Sequence, residues 1–309
     1  MSSTHHRGHF TIDFGVATKF SGEKFLKDVD PASYLPLATK HGIDAIVLAD
    51  WRNDDAFDHL REQKNLPKGY LLNRSSDRIL SVLPPDSNKP LIYLLRGAKI
   101  PTYDSTGRQE GLLTVVGHPK LPATLLRQPH ETRELLHALT QFEQSRGATV
   151  NALCIASAPF DNLAGGAEKG TLDNIARRIQ AIELNAYTNL LAHYRTINYS
   201  LSKNVPLVAS SNAKRASHFG KTYSILELQP NDLSSPDSVL DEIFKTILYH
   251  RQDLVKESNN ERTHREHSRV GFVYTSNFLG AVNVLVRGRL KAGEGSTVRK
   301  IAKRYLFGR

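Results

Sequence analysis

Short apolar runs alternate with longer segments of helical period along the first 230 residues of this 309-residue chain, and that alternation constrains its fold most. Strand and helix units repeated in this way assemble into a parallel sheet or barrel. The runs read as strands over 10–16, 45–48, 91–95, 112–116, 152–156, 181–184 and 206–210. Between them, Leu135, Leu136, Leu139 and Phe142 share one face of a helix predicted over 131–145, and a second helix is expected over 190–202. Asp30-Pro31 reads as a helix start, because proline suits the first turn and the aspartate can cap free amides. The length suits one barrel of about 250 residues with an appendage.

Punctuation marks the boundaries. Residues 83–90 and 162–166 read as loops, and the alternation stops at 229–236. A helix is predicted from about 237 to 254, followed by a polar linker or helix extension over 256–269. An apolar run over 270–286, interrupted by Gly271 and Gly280, leads to a Gly-Glu-Gly-Ser hinge at 293–296. Over 297–307, Val298, Ile301, Ala302 and Tyr305 share one helical face and Arg299, Lys300, Lys303 and Arg304 surround it, which predicts a short basic amphipathic helix. The expected division is a barrel over 1–250 and a basic C-terminal extension over 251–309.

Charge follows the same division. The formal net charge is +10, of which residues 251–309, with thirteen Lys or Arg against five Asp or Glu, carry +8. A localised cationic segment favours polyanions, since binding releases their counterions; a merely solvated tail is the plainer reading. The single cysteine, Cys154, lies in an apolar run, so it excludes an intramolecular disulfide and a multi-cysteine zinc site and reads as a small buried hydrophobe. No run of about 18 apolar residues and no charged-then-apolar leader is read, so no membrane partner is expected and a cytoplasmic location is.

Chemistry is carried by a series of motifs. Asp13-Phe14-Gly15-Val16-Ala17-Thr18-Lys19-Phe20-Ser21-Gly22-Glu23 resembles the opening motif of the PHP (polymerase and histidinol phosphatase) family, Asp-x-His-x-His-Ser-x-Tyr-Ser-Asp-Gly, with Gly15 and Ala17 in the histidine places. Ala38 to Trp51 resembles the second motif, a helix, a glycine turn and a strand ending in Thr-Asp-His, with Trp51 in place of the histidine. Leu91 to Ile100 is similar to the segment that presents a bridging glutamate in that family, and Lys99 holds the slot. Cys154 to Pro159 matches a strand ending in Ala-His-Pro, with Ala158 as the replacement. Val205 to Lys214 is similar to the closing Ser-Asp-Ala-His, with Asn212 and Lys214 replacing its aspartate and histidine. The resemblance spans roughly residues 10 to 228 in the correct order and includes Ala181 to Asn185 as the strand before the last motif. It implies an α/β fold, a distorted (β/α)7 TIM-like barrel whose site lies at the strand C-termini, in agreement with the alternation.

The resemblance also implies a centre of up to three metal ions, where bound water becomes a nucleophile and phosphate charge is neutralised. At the matching positions Gly15, Ala17, Gly22, Trp51, Lys99, Ala158, Asn212 and Lys214 offer no strong ligand. Asp13 and Asp50 remain, and the two lysines oppose a cation electrostatically. No catalytic residue, metal or cofactor is therefore assigned from sequence. Two arrangements of the barrel mouth follow. Lys99 and Lys214 can form a cationic pocket for phosphate or a nucleic-acid backbone; or they pair with Asp13 and Asp50 while Trp51 fills the vacated volume and closes the mouth.

Other clusters carry less. His5, His6 and His9 read as terminal surface sequence, and Glu261, His264, Glu266 and His267 as a solvated face. No Gly-rich phosphate loop, nucleophile elbow or His-Glu-x-x-His motif is present. Aromatic and basic residues interleave in the tail, at Tyr305 and Phe307. The expectation is a metal-free PHP-like barrel that binds nucleic acid, RNA or a ribonucleoprotein above all, through its basic segment; RNase P protein subunits with a degenerate barrel of related fold offer an analogy. The alternatives are a metal-dependent phosphoesterase or nuclease using Asp13, Asp50 and Glu183 with histidines from elsewhere, and a scaffold subunit recognised by another protein.

Overall fold

The computed structural model describes residues 9–23, 26–86, 88–145, 152–161, 166–185, 190–220, 222–228, 235–258 and 271–274. In chain order its strands are β1 (His9–Val16), β2 (Ala45–Trp51), β3 (Leu71–Ser75), β4 (Ile79–Leu83), β5 (Ile92–Tyr103), β6 (Gln109–Val116), β7 (Leu153–Ala156), β8 (Ala181–Asn185), β9 (Leu207–Ser210), β10 (Thr222–Glu227) and β11 (Gly271–Tyr274). The helices are α1 (Tyr34–His41), α2 (Asp55–Leu60), α3 (Ala123–Arg127), α4 (Thr132–Ser145), α5 (Lys169–Ile175), α6 (Leu190–Lys203) and α7 (Pro236–Ser258).

β1, β2 and β5 pair in parallel, as do β7, β8 and β9. Between the two sets β6 runs antiparallel to both β5 and β7. β10 lies antiparallel on the first half of β1, from His9 opposite Glu227 to Ile12 opposite Ser224. At its other end β1 meets the chain that follows β9: Val16 bridges Ala213, and the Ala17 N–H donates to the Ala213 carbonyl at 3.0 Å. The sheet thereby nearly closes. This is the distorted α/β barrel expected from the alternation and the motif series.

The departures from regular alternation have local causes. β5 and β6 are joined by a hairpin instead of a crossover helix, and antiparallel pairing follows. In its turn the Asp104 carboxylate accepts the N–H groups of Thr106 and Arg108, each at 2.9 Å, while Gly107 takes the left-handed conformation at φ 81°. The strand expected to stop at residue 95 continues to Tyr103, because buried Arg96 finds partners beside the sheet. The β3–β4 hairpin, paired to β5 through β4, and β10 were not expected. Asp30 caps as predicted, accepting the Ala32 N–H at 2.9 Å, but the capped element is a 3-10 turn, Pro31–Ser33, leading into α1.

α7 closes the end of the barrel opposite the strand C-termini. Val239, Leu240, Ile243, Phe244 and Ile247 pack in one buried cluster with Ile12, Phe14, Val47, Leu95, Val116 and Val208. Gly117, which follows antiparallel β6 and so lies at that end, would put a Cβ 2.6 Å from Phe244 Cζ. Side chains of this size contribute about 1.5–3 kcal/mol each when fully buried, so the plug fixes one end of the barrel while the other is left for a site. α7 runs from Pro236 to Ser258, beyond the limits expected for it.

The chain divides into a unit ending at Phe272 and one from Val273 to Arg309, of which only Val273 and Tyr274 are described. The predicted hinge at 293–296, the amphipathic helix at 297–307 and its Arg299, Lys300, Lys303 and Arg304 lie outside the described residues. Among the described residues no helix is long and apolar enough to cross a membrane.

Candidate functional site

The C-terminal ends of the parallel strands surround a cleft of about 680 Å³, within the roughly 300–1,000 Å³ of small-molecule sites. Ala17, Ser21 and Glu23 enter it after β1, Trp51 at the end of β2, Lys99 from β5, Glu183 from β8, and Asn212 and Lys214 after β9. The β5–β6 hairpin overhangs it with Asp104, Arg108 and Glu110. Trp51 is half-buried on the wall. Its indole does not fill the volume, so the closed mouth considered from sequence is not the one observed.

Asp13 and Asp50 are both fully buried, and neither is held by a lysine hydrogen bond. Asp13 Oδ1 accepts the N–H groups of Gly15 (3.2 Å) and Ser211 (2.9 Å), and its other oxygen accepts the Ser211 hydroxyl. Burial pushes its carboxyl up to about 7, against the pull of the Ser211 and Gly15 hydrogen bonds and of the Lys99 charge. Asp50 Oδ1 accepts the Thr18 N–H and the Ser21 hydroxyl (2.6 Å), and Oδ2 the Thr18 hydroxyl (2.7 Å). Burial raises its carboxyl too, opposed by Ser21, by Thr18 and by the charge of Lys99. The same Ser21 oxygen accepts the Trp51 N–H at 3.1 Å, so the segment after β1 is stitched to the end of β2.

The lysines have other partners. Lys99 is buried, donates to Asn212 Oδ1 at 2.9 Å and stands 3.9 Å from Glu183 Oε1. Glu183 is held in turn by the Ser210 hydroxyl and the Ala158 N–H. A Cβ at Gly15 would come 3.4 Å from Lys99 Nζ and 3.5 Å from its Cε, so the lysine tip lies where a side chain at position 15 would begin. Lys214, half-exposed, pairs with Glu23 at 3.5 Å. Each lysine at the mouth therefore already faces a carboxylate.

A metal centre needs free oxygen, nitrogen or sulfur donors converging on one point. Here every oxygen of Asp13 and Asp50 accepts a donor from the chain itself, and an ammonium stands between Glu183 and Asn212. Among the described residues no group of three or more His, Cys, Asp or Glu is placed to hold a metal ion. The donor set does not fit the centre that the motif resemblance implies.

Sequence reasoning brought Asp13, Asp50, Trp51, Lys99, Asn212 and Lys214 to one end of the barrel, and the structure puts all six there. It missed the hydroxyls that matter most to the aspartates and to Glu183, those of Thr18, Ser21, Ser210 and Ser211. The available signal was their position inside or beside the motifs, where a hydroxyl next to a strand end can cap a carboxylate. Ala158 and Asn212 adopt left-handed backbone, φ 41° and 43°. Asparagine tolerates that region, whereas Ala158 is kept there by its N–H to Glu183 and by close packing, since a Cβ at Gly166 would lie 1.8 Å from the Ala158 carbonyl oxygen.

No family model and no curated protein matches the sequence. Among solved structures, the chain is similar to PsfC from Pseudomonas syringae PB-5123, at 16% identity over 82% of this chain and 97% of that one, with a TM-score of 0.56. More distant likenesses are to the lesion-specific endonuclease PfuEndoQ from Pyrococcus furiosus, at 11% identity over 78% of this chain and 56% of that one (TM-score 0.44), and to a candidate metal-dependent phosphoesterase from Bifidobacterium adolescentis, at 11% identity over 76% and 95% (TM-score 0.39). The likeness to PsfC is one of fold, along nearly the whole of that protein.

Proposed function

We propose that this chain is a PHP-like barrel that works without a metal centre, as a binding subunit for nucleic acid or a ribonucleoprotein, with RNA favoured and the basic segment after residue 250 as its contact surface. The observation that carries the reading is the separation of charge: +8 of the net +10 lies in residues 251–309. Polyanion binding by such a segment is driven by counterion release and needs no cleft. The barrel mouth supports the other half of the reading, because its lysines are paired and its aspartates saturated by hydrogen bonds. Lys99 and Lys214 then contribute to phosphate binding only where a ligand displaces Glu183 or Glu23, so the tail, with Arg299, Lys300, Lys303 and Arg304, takes the larger share.

The test is RNA binding by the full chain and by a form lacking residues 287–309, across a salt series. The deletion removes eight Lys or Arg. For a single-stranded ligand the slope of log affinity against log salt falls by ~0.7 for each phosphate that the shortened chain no longer neutralises. Undiminished binding would favour a scaffold whose barrel is recognised by another protein. Stoichiometric Mn, Zn or Fe in the purified chain, with hydrolysis of a phosphate ester, would replace the proposal with the phosphoesterase reading.

A further inference from the structure

The cleft has a charge balance opposite to that of the chain. Lys99 faces Glu183 at 3.9 Å and Lys214 faces Glu23 at 3.5 Å, so two pairs cancel. What remains in the lining is Asp104, Glu110 and Glu168 against Arg108, three carboxylates to one guanidinium, in a protein whose formal net charge is +10. Glu110 uses Oε1 to accept the Thr132 N–H at 2.8 Å and its hydroxyl at 2.7 Å, which leaves Oε2 to face the cleft. Glu168 is exposed and stands at the N-cap of α5 without capping it through the carboxylate. The same cleft is lined by Trp51, the single tryptophan of the chain, whose backbone is tied down by its N–H to the Ser21 hydroxyl while the residue is only half-buried.

We infer that the cleft binds a small organic cation, an alkyl amine with two or more ammonium groups, which lies against Trp51 and is neutralised by Glu110 and Glu168. The volume of about 680 Å³ is that of a site for a molecule of many atoms. An anion such as phosphate would enter against the surplus of carboxylates and find both lysines already paired. A metal ion needs several oxygens on one point, which the saturated aspartates do not supply. An alkyl ammonium needs less: it donates to single carboxylate oxygens set apart from one another, its hydrocarbon covers an aromatic face, and that face attracts the charge as well. The inference rests on the metal-free reading of the mouth and is independent of RNA binding by the tail, which can fail without touching it.

The single tryptophan supplies the readout. The full-length chain is titrated with spermidine, and separately with sodium phosphate and with glucose, at constant ionic strength in EDTA, and followed by Trp51 fluorescence and by calorimetry. A saturable change with spermidine alone is expected. Glu110→Gln and Glu168→Gln should each weaken it about two- to fivefold, the scale of a partly exposed charge pair, and the double variant about tenfold. Trp51→Leu, followed by calorimetry, should lose a similar two- to fivefold. Glutamine at 110 keeps an oxygen for Thr132, and Glu168 is exposed; should the first variant disturb α4, Glu168→Gln alone decides. Saturation by phosphate or glucose, no saturable response to spermidine, or spermidine affinity unchanged in the glutamine variants overturns the inference.

Discussion

Two buried cations flank the same strand, β5, and their surroundings differ. Arg96, 1% exposed, donates to Asp58 at 2.6 Å, to Asp54 at 3.4 Å and through Nε to the Asp77 carbonyl at 2.7 Å, with its guanidinium 4.4 Å from the centre of the Phe57 ring. Lys99, three residues on, has one short hydrogen bond, one carboxylate at 3.9 Å, and borders a cleft. Arginine's planar fork satisfies several acceptors at once and closes its site, whereas lysine's single nitrogen leaves acceptors that other groups must serve. The first arrangement is a staple between β5, α2 and the turn before β4. The second leaves room for a ligand.

The sharpest way to break this contrast is at Arg96. Arg96→Met keeps the bulk over Phe57 and strands Asp54, whose carboxyl is already raised by burial. A loss of about 3–5 kcal/mol is expected, as for other buried pairs that lose one partner, read from the urea midpoint. A loss below ~1 kcal/mol, the scale of a surface pair, would mean that Arg96 is no staple and the comparison collapses.

This contrast also marks what could be seen in the sequence. The apolar runs that became β1, β2, β7, β8 and β9 were legible because burial on both faces demands continuous hydrophobicity. β5 was cut short at Arg96, since a charged residue reads as a strand end unless its partners, 38 and 42 positions away, are known. β3 is an exposed edge with little hydrophobic signal. β10 did carry alternating burial, at Thr222, Ser224 and Leu226, but two of those three side chains are polar and mask the period. At the mouth the motif order placed the right residues together, while their pairing depended on hydroxyl and amide donors that no charge pattern reveals. Lysines expected to meet Asp13 and Asp50 meet Asn212, Glu183 and Glu23.

A smaller effect separates the two regions by pH. An unfolded aspartate loses its proton near pH 4, whereas Asp13 in the folded barrel holds it to about 7. Between those values the folded state binds the additional proton, so stability falls as pH rises through the window and levels off above it. One proton corresponds to ~1.4 kcal/mol per pH unit. Asp13→Asn keeps an oxygen for the Gly15 and Ser211 N–H groups and removes the titration. Its urea midpoint should lose less than that of the parent between about pH 5 and pH 8, and an unchanged slope would show that Asp13 is not the group that titrates. Arg96→Met acts on other carboxyls, since it removes the guanidinium that opposes the burial of Asp54 and Asp58, so its effect on the slope is separate from that of Asp13.

The smallest effect is expected at Lys214, and it defines the edge of the mouth. Its pair with Glu23 spans 3.5 Å with both side chains about one-third exposed, where water and salt screen the attraction and such pairs contribute about 0–1 kcal/mol. Lys214→Ala should therefore leave the urea midpoint nearly unchanged at low and high salt alike. Because stability is not at stake, the variant isolates the lysine's role in binding. If the mouth shares in RNA binding, Lys214→Ala weakens it uniformly across sequences and lowers the salt slope by ~0.7. If the tail acts alone, affinity and slope both stay at the parent values, and the mouth is left to a small ligand of its own.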